Sequence, residues 1–88
     1  MRVHFTDNGW EDYRSWQHDE EAFKRLNELI ESARRTPFQG IGKPEPLKGD
    51  LAGFWSRRIN REHRLVYAVE GKPAVDQRLI IVMCRYHY

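Results

Sequence analysis

The sequence predicts an α+β fold in which two N-terminal helices, forming a helical hairpin, pack on one face of a twisted, mainly antiparallel four-stranded sheet. Three observations lead there. Apolar residues recur at helical spacing through two segments ahead of Thr36. Two short strand-like runs then flank the polar turn Asn60-Arg61-Glu62, and Leu79 to Met83 is an unbroken apolar run. At 88 residues the chain is a single domain, residues 1–88, with room for one small core and not for two.

The elements follow in order. Arg2 to Phe5 alternates, Val3 and Phe5 against Arg2 and His4, as a strand with one buried face does. Thr6 or Asp7 can cap a short helix over about residues 8–17, whose Trp10, Tyr13 and Trp16 fall at helical spacing and are read as core. A second helix starts after His18-Asp19. Asp19, Glu20 and Glu21 lie in its first turn and Arg34 and Arg35 in its last, both placements favoured by the helix dipole. Its apolar stripe is Phe23, Leu26, Leu29 or Ile30, and Ala33, and Pro37 ends it.

From Thr36 to Asp50, glycines and prolines break any periodicity, so this stretch is expected to be an ordered loop anchored by Phe38, Ile41 and Leu47. Its Gly40-Ile41-Gly42-Lys43 lacks the glycine spacing and the Ser/Thr of a phosphate loop, which excludes nucleoside triphosphate binding. Phe54 to Tyr67 is a hairpin. With Asn60-Arg61-Glu62 as its loop, Ile59 faces His63, Arg58 faces Arg64 and Ser56 faces Val66. Glu70 to Asp76 is a turn, and Leu79 to Met83 a strand expected to be central in the sheet and covered on both faces. Cys84 is packed, and Arg85-Tyr86-His87-Tyr88 leaves the end of that buried strand.

Net charge is only +2, but residues 1–33 hold four Lys/Arg against eight Asp/Glu, whereas residues 34–64 hold eight against three. Arginine outnumbers lysine eleven to four. The middle of the chain therefore has the character of a polyanion-binding surface, since arginine suits forked phosphate contacts; a solvated basic face without a ligand is the alternative. No apolar run is long enough to cross a bilayer and the first residues lack a signal-peptide core, so a cytoplasmic protein without membrane contact is expected. The four histidines and Cys84 have no metal-ligand spacing, and no cofactor motif is present; no metal and no cofactor is expected.

Arg58 and Arg64, side by side on one sheet face, would cost roughly 0.2 to 1 kcal/mol as a like-charged pair, a cost that a bound anion relieves. Each pairing with a surface carboxylate is the competing explanation. Glu45 is held between Pro44 and Pro46, with Lys43 and Lys48 nearby, and His87 can exchange a proton near neutral pH. Together Glu45, Lys48, Arg58, Arg64 and His87 make up the parts needed for metal-free RNA cleavage.

Lys43-Pro44-Glu45-Pro46-Leu47-Lys48, Gly53-Phe54-Trp55-Ser56-Arg57-Arg58-Ile59, Glu62-His63-Arg64-Leu65-Val66-Tyr67 and Arg85-Tyr86-His87-Tyr88 closely resemble the YoeB (Txe) toxins of the RelE superfamily. The likeness extends to Trp10-Glu11-Asp12-Tyr13 and Arg35-Thr36-Pro37-Phe38. It implies a RelE-like fold and a type II toxin, a ribosome-dependent endoribonuclease (mRNA interferase) that cuts mRNA in the A site and inhibits translation. In the roles implied, Glu45 is the general base, His87 the general acid, and Arg58 and Arg64 stabilise the transition-state phosphate, with Lys48 and Tyr88 supporting. The partners implied are a YefM/Phd-like antitoxin, the 70S ribosome with A-site mRNA, and operator DNA only through the antitoxin, with a homodimer left open. The sequence departs from the family pattern at Arg61 and in the long loop Glu70 to Gln77. A non-catalytic ribosome- or RNA-binding inhibitor, or an antitoxin co-repressor, is the alternative.

Overall fold

A computed structural model describes residues 1–86. Strand β1 (Arg2–Phe5) leads into helix α1 (Asp7–Ser15), a 3-10 turn (Trp16–His18) and helix α2 (Glu20–Arg35). The second half contributes β2 (Glu45–Pro46), a 3-10 turn (Gly49–Leu51), β3 (Trp55–Arg58), β4 (Arg64–Glu70) and β5 (Arg78–Met83). The sheet order is β1-β5-β4-β3-β2, with β1 parallel to β5 and every other neighbour antiparallel.

The sheet thus has five strands where the sequence predicts four. The addition is β2, two residues long and paired with β3 at the sheet edge. An edge is where a strand containing proline can sit, because the missing N–H costs no interior ladder bond. So short a strand, with Pro44 before it and Pro46 within it, has no alternating pattern to betray it.

Both helices carry side-chain caps, Thr6 on α1 as expected and Asp19, expected within the first turn, on α2. Thr6 accepts from the Gly9 N–H at 3.0 Å and Asp19 from the Ala22 N–H at 3.1 Å. Helix α1 lies directly on β5: a Cβ on Gly9 would stand 2.2 Å from the Ile81 carbonyl oxygen, so only glycine permits the approach. The helix α1 ends at Ser15, and Trp16 belongs to the tighter turn that follows. There its ring is buried and its Nε1–H donates to the Cys84 carbonyl at 2.7 Å.

Leu26, Leu29, Ile30 and Ala33 of α2 pack with Trp16, Ile59, Leu65, Tyr67, Leu79, Ile81 and Cys84 to form the core. Trp10 is the exception among the aromatics expected inside. It is 48% exposed, resting at the rim against Phe5 and Tyr13. Strand β5 is interior to the sheet, but only its helix-side residues Leu79 and Ile81 are fully buried; Ile80 and Val82 are half-buried on the uncovered side. The expectation of burial on both faces is corrected accordingly.

Candidate functional site

The hairpin register is the geometric foundation of the site. Strands β3 and β4 pair Trp55 with Tyr67, Ser56 with Val66, Arg57 with Leu65 and Arg58 with Arg64, and the Ile59 N–H donates to the His63 carbonyl at 3.0 Å. Arg58 and Arg64 therefore project from the same face. Asn60 shapes the turn, its Oδ1 accepting the Glu62 N–H at 3.0 Å and the His63 N–H at 2.8 Å. Nη1 of Arg64 folds back over that turn, donating to the carbonyls of Asn60 at 2.7 Å, His63 at 3.1 Å and Arg61 at 3.3 Å. One edge of this guanidinium is fixed by the backbone, and among the described residues its other nitrogens make no hydrogen bond.

Strand β2 brings Glu45 to the same face. Glu45 pairs with Ser56 and Pro46 with Trp55. Side chains directly opposite share a face, so Glu45, Ser56 and Val66 form one row across the sheet, and Arg58 and Arg64 form the next. The diagonal step from Glu45 to Arg58 is about 7–8 Å between backbones, within reach of two long side chains. Glu45 and Arg58 are exposed and Arg64 is half-buried.

Arg57, the sequence neighbour of Arg58, does something different. Alternation turns it to the helix side, where it is fully buried. Its Nε donates to the Tyr67 hydroxyl at 3.0 Å, Nη1 to Ser32 Oγ at 2.8 Å and the Ile41 carbonyl at 3.1 Å, and Nη2 to the carbonyls of Thr36 at 2.7 Å and Gln39 at 2.9 Å. All five donors are satisfied without a carboxylate. Thr36 follows the C-terminal end of α2, where helix carbonyls lack intrahelical donors and carry the negative end of the dipole.

The Tyr67 hydroxyl in turn donates to the Pro37 carbonyl at 2.5 Å. Burial pushes its pKa above the ordinary phenol value, against the opposing pull of the Arg57 hydrogen bond and charge. Arg57 therefore ties the 36–41 segment to the sheet, and the Arg58 N–H adds a bond to the Gly42 carbonyl at 2.7 Å. Gly42 has φ +83°, and a Cβ there would meet Leu29 at 2.5 Å. This stitching delivers Glu45 to its place. Phe38 and Ile41, expected as anchors, are 51% and 43% exposed; Leu47 is buried as expected.

Arg25, Arg58, Ile59, Asn60, Arg61 and Arg64 line a shallow cleft of about 400 Å³. The ion pairs among the described residues join Glu31 to Arg34 and Arg35, and Glu70 to Arg78. None of the four cleft arginines has a carboxylate partner among the described residues, so the cleft presents unneutralised positive charge. Arg25 escapes sequence reading because it comes from α2 and only the fold brings it to the hairpin. Lys48 is exposed and occupies the position just before the 3-10 turn beyond β2, with no side-chain capping bond. Among the described residues no group of three or more His, Cys, Asp or Glu is placed to hold a metal ion, and no helix is long and apolar enough to cross a membrane.

The tail returns to the hairpin. The Arg64 N–H donates to the Tyr86 carbonyl at 2.9 Å, and Arg85 lies over the Trp16 ring at 4.0 Å. His87 and Tyr88, both expected at the site, lie outside the described residues.

Known proteins share this sequence pattern and this fold. The family model for YoeB-like toxins of bacterial type II toxin–antitoxin systems matches residues 5–88. Toxin YoeB of Streptomyces coelicolor is 58% identical over 89 residues, covering all of both chains. Among solved structures, a YoeB/ParE toxin from Agrobacterium tumefaciens superposes with a TM-score of 0.92 at 53% identity over the full length of both chains. A chain from a heterotetrameric YoeB–YefM toxin–antitoxin complex of Staphylococcus aureus gives 0.84 at 43% identity, covering 100% of this chain and 98% of that one. The chain belongs to the YoeB-like toxins of bacterial type II toxin–antitoxin systems.

Proposed function

We propose that this toxin is a ribosome-dependent endoribonuclease that cuts mRNA in the A site by metal-independent acid–base chemistry. The observation that carries the proposal is the register that sets Glu45, Arg58 and Arg64 on one sheet face. In the proposed reaction the Glu45 carboxylate takes the proton of a ribose 2′-OH as its oxygen bonds to the adjacent phosphorus. A carboxylate is too weak a base to ionise that hydroxyl beforehand, so the proton leaves as the P–O bond forms. Arg58 and Arg64 steady the added charge on the phosphorane, Arg64 with its orientation already set by the turn carbonyls. His87 protonates the departing 5′ oxygen, and Lys48 and Tyr88 support the phosphate.

The products are a 2′,3′-cyclic phosphate and a 5′-hydroxyl. The ribosome supplies the remaining orientation, holding the 2′-OH in line with the scissile bond. An antitoxin of the YefM kind, as in the similar S. aureus complex, would silence the toxin by covering this face.

Purified toxin added to a cell-free translation reaction, with the mRNA ends mapped, tests the proposal. Fragments ending in a cyclic phosphate within the A-site codon are expected. Translation arrest with intact mRNA would instead identify a non-catalytic ribosome blocker.

A further inference from the structure

Beyond the arginine cleft, the imidazole of His63 stands at the junction of hairpin and tail. Its Nδ1 accepts the Tyr86 backbone N–H at 2.6 Å, while the Arg64 N–H takes the Tyr86 carbonyl at 2.9 Å. Both backbone polar groups of Tyr86 are thus bonded to consecutive hairpin residues. The Trp16 ring meets His63 edge-on with centroids 4.8 Å apart, and the Tyr86 ring lies tilted against it at 5.0 Å. Tyr86 has φ +63°, a left-handed conformation that a bulky side chain adopts only where its surroundings impose it. Here the imposing contacts are the bonds to His63 and Arg64.

We propose that His63 is a positioning residue: its neutral imidazole, with the proton on Nε2 and the lone pair on Nδ1, holds the Tyr86 peptide against the hairpin beside Arg64. The inference rests on the nuclease reading, in which the tail delivers the proton to the leaving group. It acts through the Tyr86 peptide and not on the RNA. An imidazolium has no lone pair to offer, so protonation of His63 opens this bond. The tail is then held at neutral pH and loosened as the pH falls through the range where imidazole titrates. Among the described residues, Arg61, Glu62 and Arg64 flank His63 along the hairpin; on the elements packed against it, His18 follows Trp16 on the 3-10 turn, Arg85 lies over the Trp16 ring, and Asp12 accepts the Cys84 N–H at 3.1 Å.

Two readouts on the full-length protein test this: the exchange protection factor of the Tyr86 amide by NMR, and single-turnover cleavage on mRNA-programmed ribosomes. His63→Asn retains an acceptor near the Nδ1 position, whereas His63→Phe retains a ring and removes the acceptor. In the wild type, Tyr86 protection is expected to fall about ten-fold between about pH 8 and pH 5, a loss of the size one hydrogen bond sustains. His63→Asn should remain protected throughout. His63→Phe should be unprotected at both ends of the range, with single-turnover cleavage reduced about ten-fold or more and ribosome affinity unchanged.

Tyr86 protection that responds neither to pH nor to His63→Phe would overturn the inference, as would His63→Asn titrating like the wild type. If the wild type does not cut mRNA, the nuclease reading fails, while Tyr86 exchange still decides whether His63 holds the tail. Should His63→Phe not fold, the wild-type titration and His63→Asn decide.

Discussion

Arg57→Ala and Arg58→Ala, changes at adjacent positions of one strand, should have opposite consequences for stability. Arg57 is fully buried and donates five hydrogen bonds, three of them to backbone carbonyls of the 36–41 segment. Truncation orphans those carbonyls and the Ser32 and Tyr67 hydroxyls, at about 1–3 kcal/mol for each acceptor that stays buried. Thr36, Gln39 and Ile41 are exposed residues whose carbonyls water can reach once the segment loosens, so the sum does not accumulate in full. A loss of about 3–5 kcal/mol is expected, the range for removing one partner from a buried charged network.

At about 4–8 °C per kcal/mol for a domain of this size, the melting temperature should fall by about 12 °C or more. Arg58 is exposed and directly opposite another arginine. Its removal should change stability by no more than about 0.5 kcal/mol, and relief of the like-charge pair favours a small gain. Urea denaturation followed by tryptophan fluorescence measures both, with Arg57→Lys expected between them because an ammonium cannot span the fork of acceptors. Equal losses for the two alanine variants, or a loss below about 1 kcal/mol for Arg57→Ala, would refute the assignment of Arg57 to the scaffold.

Other perturbations probe the site and its support. Arg64→Ala should lower single-turnover cleavage on programmed ribosomes by about 10²–10³-fold, the scale of a lost transition-state donor, with a much smaller change in ribosome affinity; loss of affinity alone would deny it a catalytic role. Glu45→Gln, isosteric and exposed, should leave the urea midpoint unchanged and reduce cleavage by about 10²–10⁴-fold. Gly9→Ala should destabilise by about 1–3 kcal/mol in the same denaturation assay, because the added methyl meets the Ile81 carbonyl.

Cys84 provides a pH-dependent test. Burial, and secondarily the nearby Asp12 charge, push its thiol up to about 12, with Arg85 pulling the other way. Near neutral pH it is protonated in both the folded and unfolded chain. Above the ordinary thiol value of about 8.5 only the unfolded chain ionises it, so stability falls with rising pH, by at most about 1.4 kcal/mol per unit. Comparing wild type with Cys84→Ala between about pH 7.5 and 10 isolates this slope, which the variant should lack.

The local elements were legible in the sequence because each carries its own signal at short range. The cap at Thr6, the stripe of α2 and the polar turn at Asn60 depend on residues within a few positions, and they lie where expected. Even the pairing of Arg58 with Arg64 follows from turn length and alternation alone. Strand β2 was invisible because its pairing energy comes from β3, about ten residues away, and its own sequence is only a glutamate and a proline, with Pro44 before it.

Four arginines stand between Arg57 and Arg64, and the linear sequence cannot rank them. Alternation separates Arg57 from Arg58, but only the packed α2 terminus and the 36–41 carbonyls turn the buried one into a structural rivet. Arg25 joins the cleft from a helix more than thirty positions upstream, and His63 meets Tyr86 across a separation of 23 residues. The sequence alone determined which elements form and which chemistry the chain can carry, since propensity, capping and register are local. Tertiary structure decided which charges are buried, which converge and which group holds the tail, because those outcomes depend on contacts between segments that have no proximity until the chain folds.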